Sequence, residues 1–223
     1  MPLKIDLHIH TYYSPDSTIT PKELVTSAKQ RGLDAVAVTD HDTIEGALKL
    51  SGHSEFLIIP GIEVNTRHGH VLGLNISSRI PSRLDVPMTI QKIHEAGGIA
   101  IAAHPTTLYK GSLRRFVTRE FDAVEAMNAS SIPFRFSNRV NRKLAERLHL
   151  PQTGGSDAHY APEIGMAHCS VEASPEREEI VAAIRSGKVT ACGRAIPWLM
   201  RLKRETSKFK RMLWTQSSKF SSW

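Results

Sequence analysis

The sequence predicts an α/β protein in which parallel strands are joined by crossover helices. Three observations support this fold class. The first two are that short apolar segments alternate with helical ones along most of the chain, and that runs such as residues 99–103 are apolar throughout. Continuously apolar strands are typical of a sheet that is covered by helices on both faces. The third observation is that histidines and carboxylates follow the ends of the predicted strands. In β/α barrels this edge carries the chemistry.

The composition is that of a globular domain. Hydrophobic residues make up 40% and charged residues 23% of the 223 positions, which excludes a disordered chain, a collagen-like fibre and a small disulfide framework. A chain of this length fits one α/β barrel and needs no disulfide to fold. No uncharged run approaches the roughly 18 residues of a spanning helix, so we expect no membrane span.

The N-terminal sequence and the cysteines favour a cytoplasmic protein. Residues 1–10 lead directly into an alternating strand and lack the apolar core and cleavage site of a signal peptide. The two cysteines, Cys169 and Cys192, fit a reducing compartment better than an oxidising one. We interpret both as small buried hydrophobic residues.

Nine segments have the pattern of β-strands. The first alternates polar and apolar residues, and several of the others are short apolar runs. The predicted strands cover residues 4–10, 33–38, 56–59, 70–74, 99–103, 122–127, 151–154, 168–172 and 189–192.

Capping patterns place helices between these strands. Thr20 and Glu23 form a capping box around Pro21, which occupies the first helical position. Asp42 and Glu45 repeat the capping-box pattern and open a second helix. Further helices are predicted over residues 87–96, 136–148 and 174–187, the last of which opens at a Ser-Pro-Glu sequence.

The charge divides the chain into a barrel domain over residues 1–193 and a basic amphipathic tail over residues 194–223. The whole chain carries a formal net charge of +7, and the tail holds eight lysines and arginines against Glu205 alone. Residues 1–193 are therefore formally neutral. Apolar side chains recur at helical spacing in the tail: Leu199, Leu202, Phe209, Met212, Leu213 and Trp214. We interpret the tail as a helix docked by its apolar side; the alternative is contact with an anionic surface such as RNA or lipid headgroups.

The end of the first strand carries two histidines. Side chains alternate along a strand, so His8 and His10 point to one face, about 6.6 Å apart along the strand. That separation suits two nitrogens that converge on one ion.

Further histidines and carboxylates fall at the ends of five other strands. His41 follows the second strand between two aspartates, and Glu63 follows the third. His70 begins the fourth strand, and His104 follows the apolar fifth. The Asp-Ala-His sequence at 157–159 follows the short strand over 151–154. Because these edges meet at a barrel mouth, we expect the side chains to converge there.

This mixture of donors predicts a polynuclear metal hydrolase. Imidazole and carboxylate donors suit zinc, manganese and iron, and the absence of cysteine at these positions argues against a structural thiolate site. Glu63 and Asp157 can each bridge two ions. Two metals about 3.5–4 Å apart hold a hydroxide and clamp a phosphoryl oxygen in phosphoesterases.

Six motifs resemble those of the PHP (polymerase and histidinol phosphatase) superfamily of metal-dependent phosphoesterases. They are DLHIHTYYSPDS, VTDHDT, PGIEV, GHVLGL, AAHP and GGSDAH, in the family's order. The resemblance covers about residues 3–192. It implies a distorted seven-stranded β/α (TIM-like) barrel with two or three divalent metal ions.

The resemblance also implies a ligand set for each metal. The first metal would be held by His8, His10, Glu63 and Asp157, the second by Glu63, His70 and His104, and the third by Asp16, His41 and His159. Asp16 stands where some members carry histidine. We leave manganese, zinc and iron open.

Three residues near these motifs carry further predictions. His68 is an alternative to His70, because the two share a strand face. Asp40 is interpreted as a residue that orients a histidine from behind. Arg135 is the candidate phosphate clamp, because its forked donors match phosphate oxygens.

The predicted function is hydrolysis of phosphate esters of nucleotides or short oligonucleotides by attack of a metal-bound hydroxide. Catalytic roles fall to Glu63, Asp157 and His159, the last of which assists the leaving alkoxide. One alternative is a phosphatase that acts on a small metabolite, of the histidinol-phosphate or sugar-phosphate type. Another is a non-catalytic RNA-binding subunit, with RNA contact through the basic tail. The oligomeric state stays open.

Overall fold

The computed structural model of the protein describes residues 1–108 and 111–220, with side chains described up to residue 209. Within this part the strands are β1 (Leu3–Ile9), β2 (Ala35–Val38), β3 (Leu57–Asn65), β4 (His70–Leu74), β5 (Ile99–Ala102), β6 (Ala123–Asn128), β7 (Gln152–Gly155), β8 (Ala167–Val171) and β9 (Val189–Gly193). The helices are α1 (Pro21–Gln30), α2 (Glu45–His53), α3 (Val86–Glu95), α4 (Phe134–Leu148), α5 (Arg177–Arg185) and α6 (Trp198–Phe220).

The strands form one nine-stranded sheet in the order β7-β6-β5-β4-β3-β2-β1-β8-β9. The sheet curls into a nearly closed barrel because the segment after β7 returns to β1. There the N–H of Asp157 donates to the carbonyl of His8 at 2.8 Å, and the N–H of His10 donates to the carbonyl of Ala158 at 3.0 Å. The α/β barrel is confirmed, with two strands more than the seven that the resemblance implied.

The predicted parallel pairing holds for part of the sheet, and two strands depart from it. Neighbours are parallel from β1 to β3 and from β5 to β7, but β4 is antiparallel to both β3 and β5. Only residues 66–69 separate β3 from β4, too few for a crossover helix. β8 is antiparallel to both β1 and β9.

The continuously apolar strands are explained by burial on both faces. Val36 and Val38 of β2 join one apolar cluster together with Leu24 of α1. The alternate residues of the same strand, Ala35 and Ala37, join a second cluster that contains residues of α5. A strand between two such layers presents apolar side chains on both sides of its pleat.

Two predicted boundaries differ from the structure. Asp42 does not cap α2: its backbone is left-handed, with φ of 55°. Its carboxylate accepts hydrogen bonds from the N–H and the side-chain amide of Asn65, at 2.9 and 2.8 Å. The strand predicted over 56–59 continues through Pro60 to Asn65, so Glu63 lies inside β3 rather than after it. At α1 the capping box of Thr20 and Glu23 is confirmed.

The orientation predicted for the tail helix was also wrong. Leu199, Leu202 and Phe209 of α6 are 65%, 63% and 57% exposed, whereas Arg201 is 8% exposed. The helix therefore docks through its basic side, because that side contacts polar partners at the barrel mouth. The predicted apolar residues Met212, Leu213 and Trp214 lie outside the described side chains.

Two further sequence predictions concern cysteines and membranes. Cys169 is buried as predicted, but Cys192 is only half-buried. Among the helices of the described residues, none has the length and apolar character that crossing a bilayer requires.

Candidate metal centre

The structure brings the nine predicted metal-binding residues to one mouth of the barrel. Parallel strands deliver their carboxyl ends to this edge, and β4, which runs the opposite way, delivers its first residue, His70. Donor atoms that lie within 4.8 Å of one another form four overlapping groups: His8–His10–Glu63, His8–His104–Asp157, His41–Glu63–His70 and His10–Asp16–His41–His159.

Glu63 stands at the centre of the cluster. Both of its carboxylate oxygens are surrounded by imidazole nitrogens. Oε1 lies 2.9 Å from Nδ1 of His70 and 3.0 Å from Nε2 of His104, and Oε2 lies 3.1, 3.2 and 3.3 Å from His10 Nε2, His41 Nδ1 and His8 Nε2. A carboxylate shared in this way can bridge two ions, which is the role the sequence predicted for it.

Asp157 and His104 are aimed at the cluster by unusual backbone. Both residues have positive φ, 54° for Asp157 and 28° for His104, a conformation that non-glycine residues adopt at a cost. Asp157 Oδ1 lies 3.5 Å from Nε2 of His10 and 3.6 Å from Nε2 of His8. Such strain is concentrated at functional sites, where the surrounding structure fixes it.

Asp16 belongs to the outer group of donors. Its Oδ2 lies 3.0 Å from Nε2 of His159 and 3.7 Å from Nε2 of His41. Asp16 thus lies together with His41 and His159, and its role as a ligand of a third ion stays a prediction.

Glu125 is a functional residue that the sequence analysis missed. It lies in β6, and its Oε1 is 3.0 Å from Nδ1 of His8. Its Oε2 accepts hydrogen bonds from the N–H of His104 at 2.8 Å and from the side chain of Asn128 at 3.0 Å. A carboxylate behind a metal-binding histidine fixes the ring and its tautomer. The available signal was a lone glutamate in an otherwise apolar strand.

Asp40 does not orient a histidine ring, contrary to the prediction. Its carboxylate accepts from the N–H and the hydroxyl of Thr11, at 2.6 and 2.7 Å, and so fixes the loop after β1. The ring of His10 instead contacts the hydroxyl of Ser14 at 3.2 Å. The same hydroxyl accepts from the N–H of His41 at 2.9 Å, which joins the two loops.

The geometry favours His70 over His68 as the candidate ligand. His70 contacts Glu63, whereas His68 stacks on the ring of Phe116 with centroids 3.9 Å apart. Arg135 is exposed near the start of α4 and is not among the residues that line the cavity at the mouth. Its role as phosphate clamp stays a prediction.

Burial and mutual charge shift the pKa values of the cluster. Burial by itself would lower the pKa of His10, but hydrogen bonds with Asp157 and Glu63 outweigh it and raise that pKa to about 10. Burial would raise the pKa of Glu63, but His41, His70 and His8 hold it well below its usual range. Without metal, protonated imidazoles and ionised carboxylates therefore stabilise each other's charge. A divalent cation would replace the protons on the imidazoles.

The residues present fit a divalent metal centre. Oδ1 of Asp16 and Nδ1 of both His41 and His70 are buried and form no hydrogen bond of good geometry with any described residue, although the two nitrogens lie 3.2 and 2.9 Å from the carboxylate of Glu63. Unsatisfied buried donors and acceptors cost free energy, and a cation among them would supply the missing partner. Imidazole and carboxylate together suit zinc, manganese and iron.

A cavity of about 320 Å³ opens in front of the cluster. One side is formed by donor residues, including Glu63, Asp157 and His159. The other side is formed by α6, which contributes Arg201, Arg204 and Lys208, and by Ser130 and Ile132 of the loop between β6 and α4. The cavity is thus lined by positive side chains as well as by candidate metal donors.

A barrel that gathers six histidines and three carboxylates in one cluster at its mouth, beside a cavity, has the features of the class of metal-dependent hydrolases. A model of the PHP domain matches residues 6–140, and a model described as PHP-associated matches residues 135–189. The chain belongs to the PHP family, and it is a metal-dependent phosphoesterase by class.

Known relatives include proteins with and without a described activity. The chain is 38% identical over 141 residues to an uncharacterised protein of Methanocaldococcus jannaschii, covering 57% of this chain and 82% of that protein. It is 34% identical over 123 residues to the 5'-3' exoribonuclease Rnm of Salmonella typhimurium, covering 49% of this chain and 42% of the exoribonuclease. It is 26% identical over 202 residues to a probable phosphatase of Syntrophotalea carbinolica, covering 72% and 82%.

Solved structures share the fold. PsfC from Pseudomonas syringae superimposes with a TM-score of 0.71 at 19% identity, over 93% of this chain and 98% of PsfC. A two-domain protein of Bacteroides vulgatus that contains a predicted PHP-like metal-dependent phosphoesterase gives a TM-score of 0.65 at 20% identity, over 87% of this chain and 65% of that one.

Proposed function

We propose that this phosphoesterase hydrolyses phosphate esters of nucleotides or short oligonucleotides. The observation that carries the proposal is the cavity itself, which has metal-donor residues on one side and the cationic side chains of Arg204 and Lys208 on the other. Such a site suits a substrate that carries phosphate and is longer than the phosphate alone. The exoribonuclease among the relatives supports a nucleotide or oligonucleotide substrate.

Two or three divalent ions, of manganese, zinc or iron, are proposed to occupy the donor groups. By the family resemblance, the residues that would hold them are His8, His10, Glu63 and Asp157 for the first, Glu63, His70 and His104 for the second, and Asp16, His41 and His159 for the third. In the structure the donor atoms of these nine residues form four overlapping groups. When bound, such ions lower the pKa of water and neutralise charge on phosphoryl oxygens. The chain contributes the orientation of the donors, which Glu125 secures from behind by holding His8 and the backbone of His104.

We propose that Nε2 of His159 has one of two roles, depending on how many ions are bound. Its Nε2 lies 3.0 Å from Asp16, at the cavity side of the cluster, and its Nδ1 lies 3.0 Å from the carbonyl of Asp157. With three ions bound, Nε2 is a donor to the third. With two ions bound, Nε2 carries the proton that the leaving oxygen takes up.

Phosphate release across a panel of esters tests the proposal. Protein supplied with Mn²⁺, Zn²⁺ or Fe²⁺ is incubated with nucleoside mono- and bisphosphates, 5′-phosphorylated short RNAs, histidinol phosphate and sugar phosphates. We expect release from a nucleotide or an RNA, loss of release in His8→Ala, and no loss in His53→Ala, whose ring lies exposed on α2. Turnover of sugar or histidinol phosphates with the nucleotides left intact would contradict the proposed substrate class.

The alternative of a small-metabolite phosphatase has one observation in its favour. The probable phosphatase of Syntrophotalea carbinolica aligns over 72% of this chain, a longer match than that of the exoribonuclease. The same panel separates the two. The third reading, a non-catalytic RNA-binding subunit, predicts loss of donor residues, whereas all nine stand together here.

A further inference from the structure

We infer that α6 is a wall of the active site and that Lys208 and Arg204 bind the phosphate oxygens of the substrate. The inference rests on the proposed function only in taking the substrate to be a phosphate ester. The sequence analysis gave RNA contact as an alternative role for the basic tail. The inference gives the first half of that tail a different role, because a free tail that recruits RNA has no need of contacts with the barrel mouth.

The cationic residues of α6 share one face of the helix. Arg201, Arg204 and Lys208 are spaced by three and four residues, so their side chains project from the same side. All three line the cavity in front of the metal cluster. The large apolar residues Leu199 and Leu202 point away from it and are exposed.

Arg201 fixes the start of this wall. Its guanidinium donates to three backbone carbonyls, those of Ile196, Ser130 and Ala129, at 3.1, 3.0 and 3.2 Å. Two of these carbonyls belong to the loop between β6 and α4, and Ser130 itself lines the cavity. A buried arginine is stable only when its donors are satisfied, so these bonds hold α6 at one place on the barrel.

Arg204 is held beside the donor cluster by a buried carboxylate. Its Nη1 lies 3.4 Å from Oε1 of Glu163, a fully buried residue. The other oxygen of Glu163 accepts from the N–H of His159 at 3.0 Å and from the N–H of Tyr160 at 3.2 Å. One carboxylate therefore joins the position of α6 to the backbone of a candidate metal-binding residue.

Lys208 lines the cavity without a side-chain partner in the part of the chain that the structure describes. It is half-buried, lines the cavity, and forms neither an ion pair nor a hydrogen bond with the described residues. Lys203, on the same helix, is exposed and does not line the cavity. A flexible ammonium group facing a site for phosphate chemistry has the donors and the charge that phosphate oxygens require.

Binding measurements on three full-length variants test the inference. Lys208→Gln, Arg204→Gln and the control Lys203→Gln are compared for the Kd of inorganic phosphate, measured by calorimetry on protein supplied with Mn²⁺. We expect the affinity for phosphate to fall about tenfold in Lys208→Gln, to fall by a similar or smaller factor in Arg204→Gln, and to stay unchanged in the control. Thermal unfolding midpoints equal to that of the wild type establish that the variants fold.

A second measurement keeps the test independent of hydrolysis. A fluorescently labelled, 5′-phosphorylated RNA hexamer is titrated onto chelated protein at several salt concentrations. Lys208→Gln should weaken binding and flatten the slope of log K against log salt by about 0.7. With an ester from the panel, the change should fall on KM rather than on kcat.

Two results would overturn the inference. One is an unchanged Kd for phosphate and an unchanged KM in Lys208→Gln. The other is an equal loss in Lys203→Gln, which would mean that any charge on α6 serves as well. The Kd for phosphate does not depend on which ester is hydrolysed, so the proposed function can fail while the phosphate titration still decides the role of α6.

Discussion

The two walls of the cavity are built in different ways. The residues of the donor wall come from strand ends. Among them, His8 and His10 are fully buried, and each of the two rings also contacts a side chain behind it. The cationic wall is one helix, attached at its start by Arg201. Metal chemistry tolerates little misplacement of donors, whereas recognition of a substrate can change with the position of one helix.

The family models divide along the same line. Together they match residues 6–189, which include the nine residues of the donor wall, and α6 begins after them at Trp198. The donor wall is thus the part of the site that the family models match, and the cationic wall lies outside the matched residues. We expect changes in the first to abolish chemistry and changes in the second to alter selection of the substrate.

The largest effect is expected from Glu63→Gln. The change keeps the shape of the side chain but removes the charge that faces five imidazoles. Losing about 4 kcal/mol of charge stabilisation corresponds to roughly a thousandfold fall in kcat/KM. Steady-state kinetics and metal content by elemental analysis measure it. A variant that keeps both its metal and its activity would contradict the expected difference between the two walls, because metal binding by the donor wall would then not require the charge of Glu63.

Removal of metal should make stability depend on pH. The pKa of His10 is raised to about 10 in the folded, metal-free protein, above its ordinary value of 6.5. Its contribution to stability is complete below about pH 6.5 and is lost as the pH rises toward 10. The free energy of unfolding of chelated protein should therefore fall between pH 7 and 9, by up to about 1.4 kcal/mol per pH unit for each such imidazole.

Protein supplied with metal should not follow this trend, because its imidazoles are neutral donors in the folded state. Urea unfolding at pH 7, 8 and 9, with chelator or with Mn²⁺, measures the difference. The chelated His10→Gln variant should show a shallower dependence on pH than chelated wild type. Parallel pH dependence with and without metal would contradict the assignment of His10 to the metal centre.

Glu125→Gln should have an intermediate effect. The carboxylate touches His8 and the backbone of His104 but is not among the grouped metal donors. Residues behind metal ligands typically contribute about 10–100-fold in metal affinity or activity. Metal titration and kcat measure it, with Glu120→Gln as control because Glu120 is exposed on a loop. An effect as large as that of Glu63→Gln would place Glu125 inside the donor wall itself.

The donor wall was largely predictable from the sequence, for a physical reason. Strand ends meet at one edge of a barrel whatever the details of the helices, so histidines at 8, 10, 41, 70, 104 and 159 converge once the strands are known. Glu125 escaped because nothing in a single sequence states which buried carboxylate faces which ring. Asp42 was misread as a helix cap because its bonds run to Asn65, a partner distant in sequence.

The cationic wall was not predictable in its orientation. An amphipathic pattern states that a helix has two faces but not which face the protein covers. Docking of α6 was decided by Glu163 and by the carbonyls of the loop after β6, partners whose positions depend on the whole fold. Apolar periodicity therefore gave the wrong side, since charge-assisted bonds to fixed acceptors stabilise the basic one.

The smallest effect is expected from Arg135→Ala, and it sharpens the contrast between the walls. Arg135 lies exposed near the start of α4, outside the lining of the cavity, so its removal should change KM by less than about twofold, as is usual for exposed positions. Arg204→Ala, measured beside it on the same ester, should raise KM several-fold because Arg204 lines the cavity. If Arg135→Ala instead gives the larger rise, α4 and not α6 faces the bound substrate, and the cavity must close differently around it.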